Sequence, residues 1–225
     1  MVAHVLKRVA ARLPESVQHE LRRLFFRRQI HAGRFVTDEQ EYKELDRFIS
    51  PGDWVLDIGA NVGHYALRMS ALVGVHGRVI AFEPVPETFA ILAANARLFP
   101  HANVSLLNVA ISDGTGTAGM QIPRFSEGLV NYYQARLTSE SAALCVMALA
   151  IDALMLPKVR LVKIDVEGHE FPALSGMRQL LERDHPVLIV ETNTQKTIDF
   201  VGGFRYEIQR LPGSSNVLCT PRADG

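Results

Sequence analysis

The chain has 225 residues, of which 48% are hydrophobic and 21% charged, proportions that suit one globular domain with additions. No apolar stretch approaches the ~20 residues needed to cross a bilayer, and the basic N-terminus lacks the apolar core of a secretory signal. Because Cys145 and Cys219 lack metal-ligand spacing and cannot form a disulfide framework, we expect a soluble protein in a reducing, cytoplasmic setting.

Charge is distributed unevenly along the chain, although the formal net charge is zero. Residues 1–36 carry eight Lys and Arg against two Glu, a net +6 that the remainder must balance. We therefore predict a basic helical extension, residues 1–36, and a main domain, residues 37–225. The extension is expected either to contact an anionic surface or to pack on the main domain with its basic face in solvent.

Two helices are predicted before residue 54. Residues 16–30 have apolar side chains at helical spacing between arginines, namely Val17, Leu21, Leu24 and Phe25. A second helix is predicted from Thr37 to Ile49, because Thr37 and Gln40 have the spacing of a capping box. Pro51-Gly52 should end it.

From residue 54 onward, strand and helix patterns alternate. Strands are predicted at 54–58, 78–82, 104–107, 161–164 and 187–190, with helices at 64–73 and 86–98 and another marked by Leu174, Met177, Leu180 and Leu181. The apolar runs at 161–164 and 187–190 are typical of strands buried on both faces. This order predicts an α/β fold: a mostly parallel, doubly wound sheet with helices on both faces. Residues 204–210 and 216–220, joined at Pro212-Gly213, should add an antiparallel hairpin.

Residues 111–150 interrupt this alternation. A turn is predicted at 112–116 and a strand at 142–149, but the stretch between has no clear period. Long irregular segments of this kind are often lids or binding loops. We expect residues 120–143 to be either a binding loop or a disordered connection.

The segment Asp57-Ile58-Gly59-Ala60-Asn61-Val62-Gly63 joins a predicted strand to a predicted helix. Glycines there allow a sharp turn and the close approach of a ligand, and the helix start offers free N–H groups. In a doubly wound sheet, this position is the crevice where ligands bind. A dinucleotide would require G-x-G-x-x-G, but the second and third glycine positions hold Asn61 and His64, so nicotinamide-dependent oxidoreduction is disfavoured.

Acidic residues near this turn favour a cationic nucleoside, S-adenosylmethionine, as the cofactor. Asp57 suits its sulfonium and ammonium groups, and Glu83 ends the next strand about 20 residues later, the offset at which a carboxylate reaches ribose hydroxyls. Adenine is expected near Asn108-Val109-Ala110 and Ser112-Asp113. His64 and Tyr65, at the helix start, would either contact the cofactor or pack. The predicted cofactor-binding residues are Asp57, Gly59, Ala60, Asn61, Gly63, Tyr65, Glu83, Pro84, Asn108, Ala110 and Asp165.

At this point the sequence resembles the FkbM family of methyltransferases. Four blocks carry the likeness, in matching order over about residues 37–220: 55–63, 82–84, 108–113 and, most specific to the family, Val162-Lys163-Ile164-Asp165-Val166-Glu167-Gly168-His169-Glu170. The resemblance implies a Rossmann-like class I methyltransferase fold. It also implies O-methylation of hydroxyls on sugars, polyketides and related natural products.

The segment after the strand 161–164 places ionisable side chains beside the expected crevice, which is costly unless they are paired or used. An aliphatic hydroxyl is a weak acid that needs a general base during methyl transfer. His169 is one candidate base, because an ordinary histidine is largely neutral at pH 7. Asp165 or Glu167 would orient it or act as the base instead. Glu170 should favour the start of the following helix.

A divalent metal is a further possibility at the same rim. Asp165, Glu191 and Asn193 are weak candidate ligands, with Glu167 and His169 nearby, and such an oxygen-rich set would suit magnesium. The sequence has no compact metal motif, so no metal is predicted.

We therefore expect an S-adenosylmethionine-dependent O-methyltransferase acting on a small-molecule or carbohydrate acceptor, with no nucleic-acid partner. Three alternatives stay open: a metal-dependent O-methyltransferase, an N-methyltransferase, and a non-catalytic cofactor-binding or membrane-associated module. The sequence leaves the oligomeric state and the acceptor unspecified.

Overall fold

The predicted alternation of strands and helices from residue 54 onward is confirmed in the computed structural model, which describes residues 12–126, 129–138, 142, 144–211 and 213–222. The helices are α1 (Glu15–His31), α2 (Gln40–Lys43), α3 (His64–Val73), α4 (Pro86–Ala96), α5 (Glu170–Ser175), α6 (Arg178–Asp184) and α7 (Gln195–Gly202). The strands are β1 (Trp54–Ile58), β2 (Arg78–Phe82), β3 (Val104–Leu107), β4 (Ala110–Ile111), β5 (Gly116–Gln121), β6 (Arg136–Thr138), β7 (Leu144–Leu149), β8 (Val159–Ile164), β9 (Val187–Glu191), β10 (Tyr206–Arg210) and β11 (Asn216–Pro221).

The main sheet has seven strands in the order β10-β11-β9-β8-β1-β2-β3. Its five strands from β9 to β3 pair in parallel, whereas β10 and β11 form the predicted antiparallel hairpin, with β11 paired to β9. The chain runs from β1 outward to β3 and returns to the other side of β1 as β8. The order therefore reverses beside β1, and ligands bind at such switch points in doubly wound sheets.

Apolar layers cover both faces of this sheet. On one face, Leu56 and Ile58 of β1 pack with Leu174 and Leu180 from α5 and α6. On the other, Val55 packs with residues of α3 such as Met69 and Val73. Burial on both sides explains why β9 is a continuous apolar run and why β8 is buried from Leu161 onward, where Lys163 is paired with Asp165.

Residues 111–150 form a second, four-stranded sheet in the order β4-β7-β5-β6. The predicted strand near 142–149 is present as β7, but the expectation of an irregular connection misses β5 and β6. Gly116 and Gly119 weaken the pattern of β5, and only Met120 of that strand is buried, so alternation is hard to detect from sequence. Parts of the predicted loop, residues 127–128 and 139–141, lie outside the described residues, as does Pro212.

The N-terminal helix is confirmed as α1, and it packs against α4 through the buried ring of Phe26. Its predicted apolar stripe, Val17, Leu21, Leu24 and Phe25, is instead exposed. Residues 1–11, with Lys7 and Arg8, lie outside the described part of the chain. None of the helices in the described part is long and apolar enough to span a membrane.

Two predicted helices are shorter than expected. The predicted helix Thr37–Ile49 was wrong in extent: α2 covers only Gln40–Lys43, because Thr37 bonds to Glu39 and forms no capping box with Gln40. The helix around Leu174 is divided at Gly176 into α5 and α6. A Cβ on Gly176 would lie 1.9 Å from the backbone oxygen of Ser112, so the chain there packs directly on the segment after β4.

Candidate active site

A cleft opens at the carboxyl ends of β1, β2 and β8, below the second sheet. Its empty space is about 710 Å³ when the part open to solvent is included. The main sheet contributes Ile58, Gly59, Asn61, Phe82, Glu83, Pro84, Val85, Asp165, Val166 and Glu167. The opposite wall consists of Val109, Ala110, Ile111, Met120, Tyr132, Tyr133, Ala135 and Leu137.

The glycines of the β1–α3 turn are required by protein packing. Gly59 has a φ of +78°, and a Cβ there would lie 1.8 Å from the backbone oxygen of Asp165. Gly63 has a φ of +99°, and its Cβ would lie 2.7 Å from Leu92. The sharp turn is as predicted. The space that the missing Cβ atoms leave is filled by Asp165 and Leu92 of the protein itself, so it is not space for a ligand. Ala60 and Gly63 themselves are buried beneath the cleft.

Glu83 holds the turn in place while lining the cleft. Its carboxylate accepts hydrogen bonds from the backbone N–H of Asn61 and of Val85, each at 2.9 Å. Asn61 adopts a φ of +49°, so the turn aims this N–H at the end of β2. Burial raises the pKa of Glu83 to about 7. The two hydrogen bonds act in the opposite direction, because they favour the ionised form, but burial outweighs them.

Asp57 lies beneath the turn and is fully buried. Burial raises its pKa to about 6, with Lys163 acting in the opposite direction. The backbone N–H of Ala66 also favours the ionised form, but among the described residues neither carboxylate oxygen of Asp57, nor Oδ1 of Asn61, has a hydrogen bond of good geometry. Buried polar atoms without partners are rare in native proteins, and they are expected where a ligand supplies the partner.

Lys163 is a buried cation below the cleft floor. Its Nζ lies 2.7 Å from Oδ2 of Asp165 and 4.9 Å from the ring centroid of Tyr65. Burial acts to lower its pKa, but Asp165 and Asp57 outweigh burial and raise it. The ammonium group therefore stays charged and fixes the carboxylate of Asp165 at the cleft edge.

Asp165 and Glu191 form a coupled pair at the ends of β8 and β9. Burial opposes ionisation of Asp165, but Lys163 and hydrogen bonding lower its pKa overall. The hydrogen bond to Asp165, together with burial, raises the pKa of Glu191 to about 7. Ser215 also donates to Oε1 of Glu191 at 2.6 Å. As pH falls below about 7, the pair therefore takes up its proton on Glu191 before Asp165.

Glu167 lines the cleft from a strained backbone position. Its φ is +51°, an unfavourable value for a residue with a side chain, and Gly168 follows at +93°. Burial raises the pKa of Glu167, and the nearby carboxylates of Asp165 and Glu170 raise it further. Strain of this kind is maintained by surrounding structure and is concentrated at functional sites.

His169 lies outside the cleft lining. Its Nε2 is 2.9 Å from Oγ of Ser112, in the segment that follows β4. Burial lowers its pKa, with Asp113 opposing the shift. The Glu170 carboxylate, in the first turn of α5, accepts from the N–H of Gly168 at 2.8 Å, so it fixes the turn before the helix; its electrostatic effect on the helix start stays a prediction.

Two predicted cofactor residues, Tyr65 and Asn108, have their side chains engaged elsewhere, and His64, expected either to contact the cofactor or to pack, is packed. Tyr65 is buried and donates to Glu39 at 3.0 Å, and His64 stacks on Phe35 with ring centroids 3.9 Å apart. Burial lowers the pKa of His64 to about 4. Asn108 donates to the carbonyl oxygens of Glu83 and Pro84 at 2.8 and 3.0 Å, which ties the segment after β3 to the cleft edge. The side chains of Tyr65 and His64 thus face the core.

Comparison with known proteins decides the family of this chain. Residues 57–208, about two thirds of its length, match the family described as "Methyltransferase FkbM domain". The chain belongs to the FkbM methyltransferase family. It is therefore a methyltransferase, and family membership implies S-adenosylmethionine as the methyl donor.

One relative is a Haloferax volcanii protein named hexuronic acid methyltransferase AglP. It is 26% identical to this chain over 193 residues, which cover 84% of this chain and 73% of the relative. A crystal structure of methyltransferase FkbM from Methylobacillus flagellatus superposes with a TM-score of 0.55 at 16% identity, covering 76% of this chain. This chain spans only 44% of that protein. A TehB-like methyltransferase from Corynebacterium glutamicum gives a TM-score of 0.50 at 12% identity over 92% of this chain and all of its own. The predicted fold class is confirmed.

The weak candidate metal ligands do not converge. Asn193 is exposed, and Glu191 is engaged with Ser215 and Asp165. The described residues contain no group of three or more His, Cys, Asp or Glu side chains suited to holding a metal ion.

Sequence reasoning missed two features of this FkbM methyltransferase. The ion pair of Lys163 is one of them, although a lysine in a buried strand two residues before Asp165 is a signal for such a pair. Tyr132 and Tyr133 form part of the cleft wall from a single turn of 3₁₀ helix. In the sequence they stand out only as two adjacent aromatic residues in a segment that has no regular hydrophobic pattern.

Proposed function

We propose that this FkbM methyltransferase transfers a methyl group from S-adenosylmethionine to a hydroxyl of a sugar or glycan. The name of the Haloferax relative supports a carbohydrate acceptor. The observation that carries the proposal is the Glu83 carboxylate, which lines the cleft at the end of β2 and is fixed by the turn that follows β1.

The residues of the cleft fit the cofactor in charge and hydrogen bonding. Each Glu83 oxygen accepts one backbone N–H and keeps a lone pair for a ribose hydroxyl. Oδ1 of Asn61, which lines the cleft without a hydrogen-bond partner among the described residues, suits the ammonium group of the amino-acid portion, and the buried carboxylate of Asp57 adds negative charge beneath it. Ala110 and Pro84 offer apolar contact to the adenine.

The bound cofactor would supply an electrophilic methyl group on a sulfonium. The protein must then hold the acceptor oxygen in line with that group, and such alignment can lower the barrier by several kcal/mol. Removing the hydroxyl proton needs a base. We assign this role to Glu167, because it lines the cleft and its raised pKa makes it a better base than an ordinary carboxylate.

Asp165 and His169 receive supporting roles in this proposal. Lys163 and Glu191 hold Asp165 beside Glu167, where its negative charge raises the pKa of Glu167. His169 anchors the segment after β4 through Ser112. It positions the cleft wall rather than taking the proton.

The test is transfer of a labelled methyl group from S-adenosylmethionine to a panel of hexuronic acids, neutral glycosides and amines, with the position of the label determined by mass spectrometry. We expect label on a sugar hydroxyl. Glu167→Gln should lower kcat by about 10²-fold or more, whereas His169→Asn should lower it by less than about tenfold. For the wild type, kcat should rise with pH as Glu167 loses its proton.

Label on the amines alone would contradict the proposal in favour of N-methylation. A large loss of kcat in His169→Asn, with little loss of kcat in Glu167→Gln, would show that His169 is the general base. Loss of transfer on adding a chelator, restored by magnesium, would indicate the metal-dependent alternative.

A further inference from the structure

Helix α1 exposes apolar side chains that its packing on the main domain does not use. Leu21 is 49% exposed and Phe25 is 55% exposed, although Phe26 beside them is buried. Exposed apolar patches on an otherwise soluble protein often mark binding surfaces.

These side chains form one wall of a groove, which we call the α1 groove. The opposite wall consists of Phe125 and residues 129–133, which contribute Leu129, Val130, Tyr132 and Tyr133. The groove has about 910 Å³ of empty space when the part open to solvent is included. Its charged and imidazole side chains, Glu15, His19 and Arg22, lie on the α1 side, and the facing wall has only the two tyrosine hydroxyls as polar side-chain groups, one of which is engaged with His19. Such a lining offers few partners for sugar hydroxyls and suits a hydrocarbon group.

The α1 groove adjoins the active-site cleft. Tyr132 and Tyr133 line both cavities, so a single turn of chain separates them. Helix α1 holds this turn directly: the Tyr132 hydroxyl lies 3.1 Å from Nε2 of His19, and the Arg22 guanidinium lies 4.7 Å from the Tyr132 ring centroid. An ion pair of 3.1 Å between Glu15 and Arg124 ties the same two elements together.

We propose that the α1 groove binds a hydrocarbon group attached to the acceptor sugar, while the sugar itself lies in the cleft. The inference rests on the proposed function and extends it to the substrate class: an alkyl glycoside rather than a free sugar. Adjacency to the cleft favours the acceptor as occupant, since a molecule that passes Tyr132 and Tyr133 would reach both cavities. Arg22 lies where it would meet an anionic group between the two parts.

The test is calorimetric binding of methyl, butyl and octyl β-glucuronides to the full-length protein, below their critical micelle concentrations. Affinity should rise with chain length, by up to about fourfold for each methylene that becomes buried. Leu21→Ser should remove most of this dependence. Leu24→Ser is the matched control, because Leu24 is 47% exposed on the same helix but faces the side of α4. It should leave the dependence unchanged.

Equal affinity for the three glycosides would overturn the inference, as would equal effects of Leu21→Ser and Leu24→Ser. If Leu21→Ser instead disrupts a dimer in sedimentation, or abolishes capture by anionic vesicles, without changing glycoside binding, the groove serves a second copy or a membrane, and the inference is also wrong. S-adenosylhomocysteine binding is measured in parallel. If S-adenosylhomocysteine does not bind, that result counts against the proposed function. The series of three glycosides would still test whether the α1 groove binds a hydrocarbon group.

Discussion

The buried side chain of Glu83 holds two neighbouring segments of the chain and also lines the cleft. Its carboxylate organises the β1–α3 turn through Asn61 and the start of α4 through Val85. Burial raises its pKa from 4.5 to about 7, which means that the ionised form is disfavoured when the cleft holds no ligand. A ligand that donates hydroxyl hydrogen bonds would favour the ionised form and reverse this shift.

The raised pKa of Glu83 predicts how stability changes with pH. Because the folded-state pKa exceeds the unfolded-state value, the protonated group stabilises the fold at low pH, and this contribution is lost as pH rises from about 4.5 through about 7. Asp57 and Glu191, whose pKa values are also raised, act in the same direction. In urea denaturation of the ligand-free protein across this range, the loss of unfolding free energy should be smaller for Glu83→Gln than for the wild type. Identical pH dependence in the two proteins would contradict this assignment.

At the scale of elements, the β1–α3 turn joins the central strand to the helix that covers it. Gly59 allows the turn to pass directly against the backbone after β8, so the two strands that frame the cleft are held at contact distance. This packing, together with the hydrogen bond of 3.0 Å from the N–H of Asp165 to the carbonyl oxygen of Ile58, fixes the separation of the two segments at that point.

Gly59→Ala should therefore destabilise the fold severely. The new Cβ would meet the Asp165 backbone at 1.8 Å in a left-handed conformation, so we expect a loss of at least about 3 kcal/mol. Gly33→Ala is the control: its φ of +64° is similar, but no atom lies within 4 Å of the added Cβ. It should cost only about 1 kcal/mol, the strain of the conformation alone. Similar losses for both variants in urea denaturation would refute the packing argument.

Helix α1 is joined to the main domain through Phe26, which packs with Phe35, Val62 and Ile91. Phe26→Ala should lower the unfolding free energy by about 3 kcal/mol, because it removes a buried ring and leaves a cavity. Phe25→Ala, at the neighbouring exposed position, should change it by less than about 0.5 kcal/mol. Urea denaturation measures both. A small effect at Phe26 would mean that α1 is only loosely attached.

At the scale of the whole molecule, the second sheet completes a cleft that the main sheet begins, and α1 holds one wall of that cleft from behind. The main sheet supplies Glu83, Asp165 and Glu167, the second sheet and its connection supply the facing wall, and α1 contacts that wall at Tyr132. The division at residue 36 stays a prediction, but α1 and the main domain share the packing around Phe26 and Phe35. Contact of the basic extension with an anionic surface also stays a prediction.

The parts of this architecture that were predictable from sequence depend on local patterns. The strands β1, β2, β8 and β9 follow from apolar runs, and the turn at Gly59 from its place between strand and helix. Glu83 was found because its offset from that turn is fixed by the β-α-β unit itself. These relations hold within some 25 residues of chain.

The features that were missed depend on contacts distant in sequence. His169 meets Ser112 across 57 residues, and this contact removes it from the cleft lining. Tyr132 meets His19 across 113 residues, which no local period records. The exposed stripe of α1 was an amphipathic pattern of the expected kind, but the pattern could not tell that Phe26 would be the buried residue.

The central claim is that Glu83 and the β1–α3 turn form the binding site for S-adenosylmethionine. Titration calorimetry with S-adenosylmethionine and S-adenosylhomocysteine tests it most directly, on the wild type, Glu83→Gln and Glu41→Gln. Glu41 is the control because it is also a buried carboxylate, bonded to Ser214 and Asn216 away from the cleft. We predict that both ligands bind the wild type and that Glu83→Gln weakens them at least about tenfold, the expected cost of losing charge-assisted hydrogen bonds. Glu41→Gln should bind as the wild type does; unchanged affinity in Glu83→Gln would contradict the account.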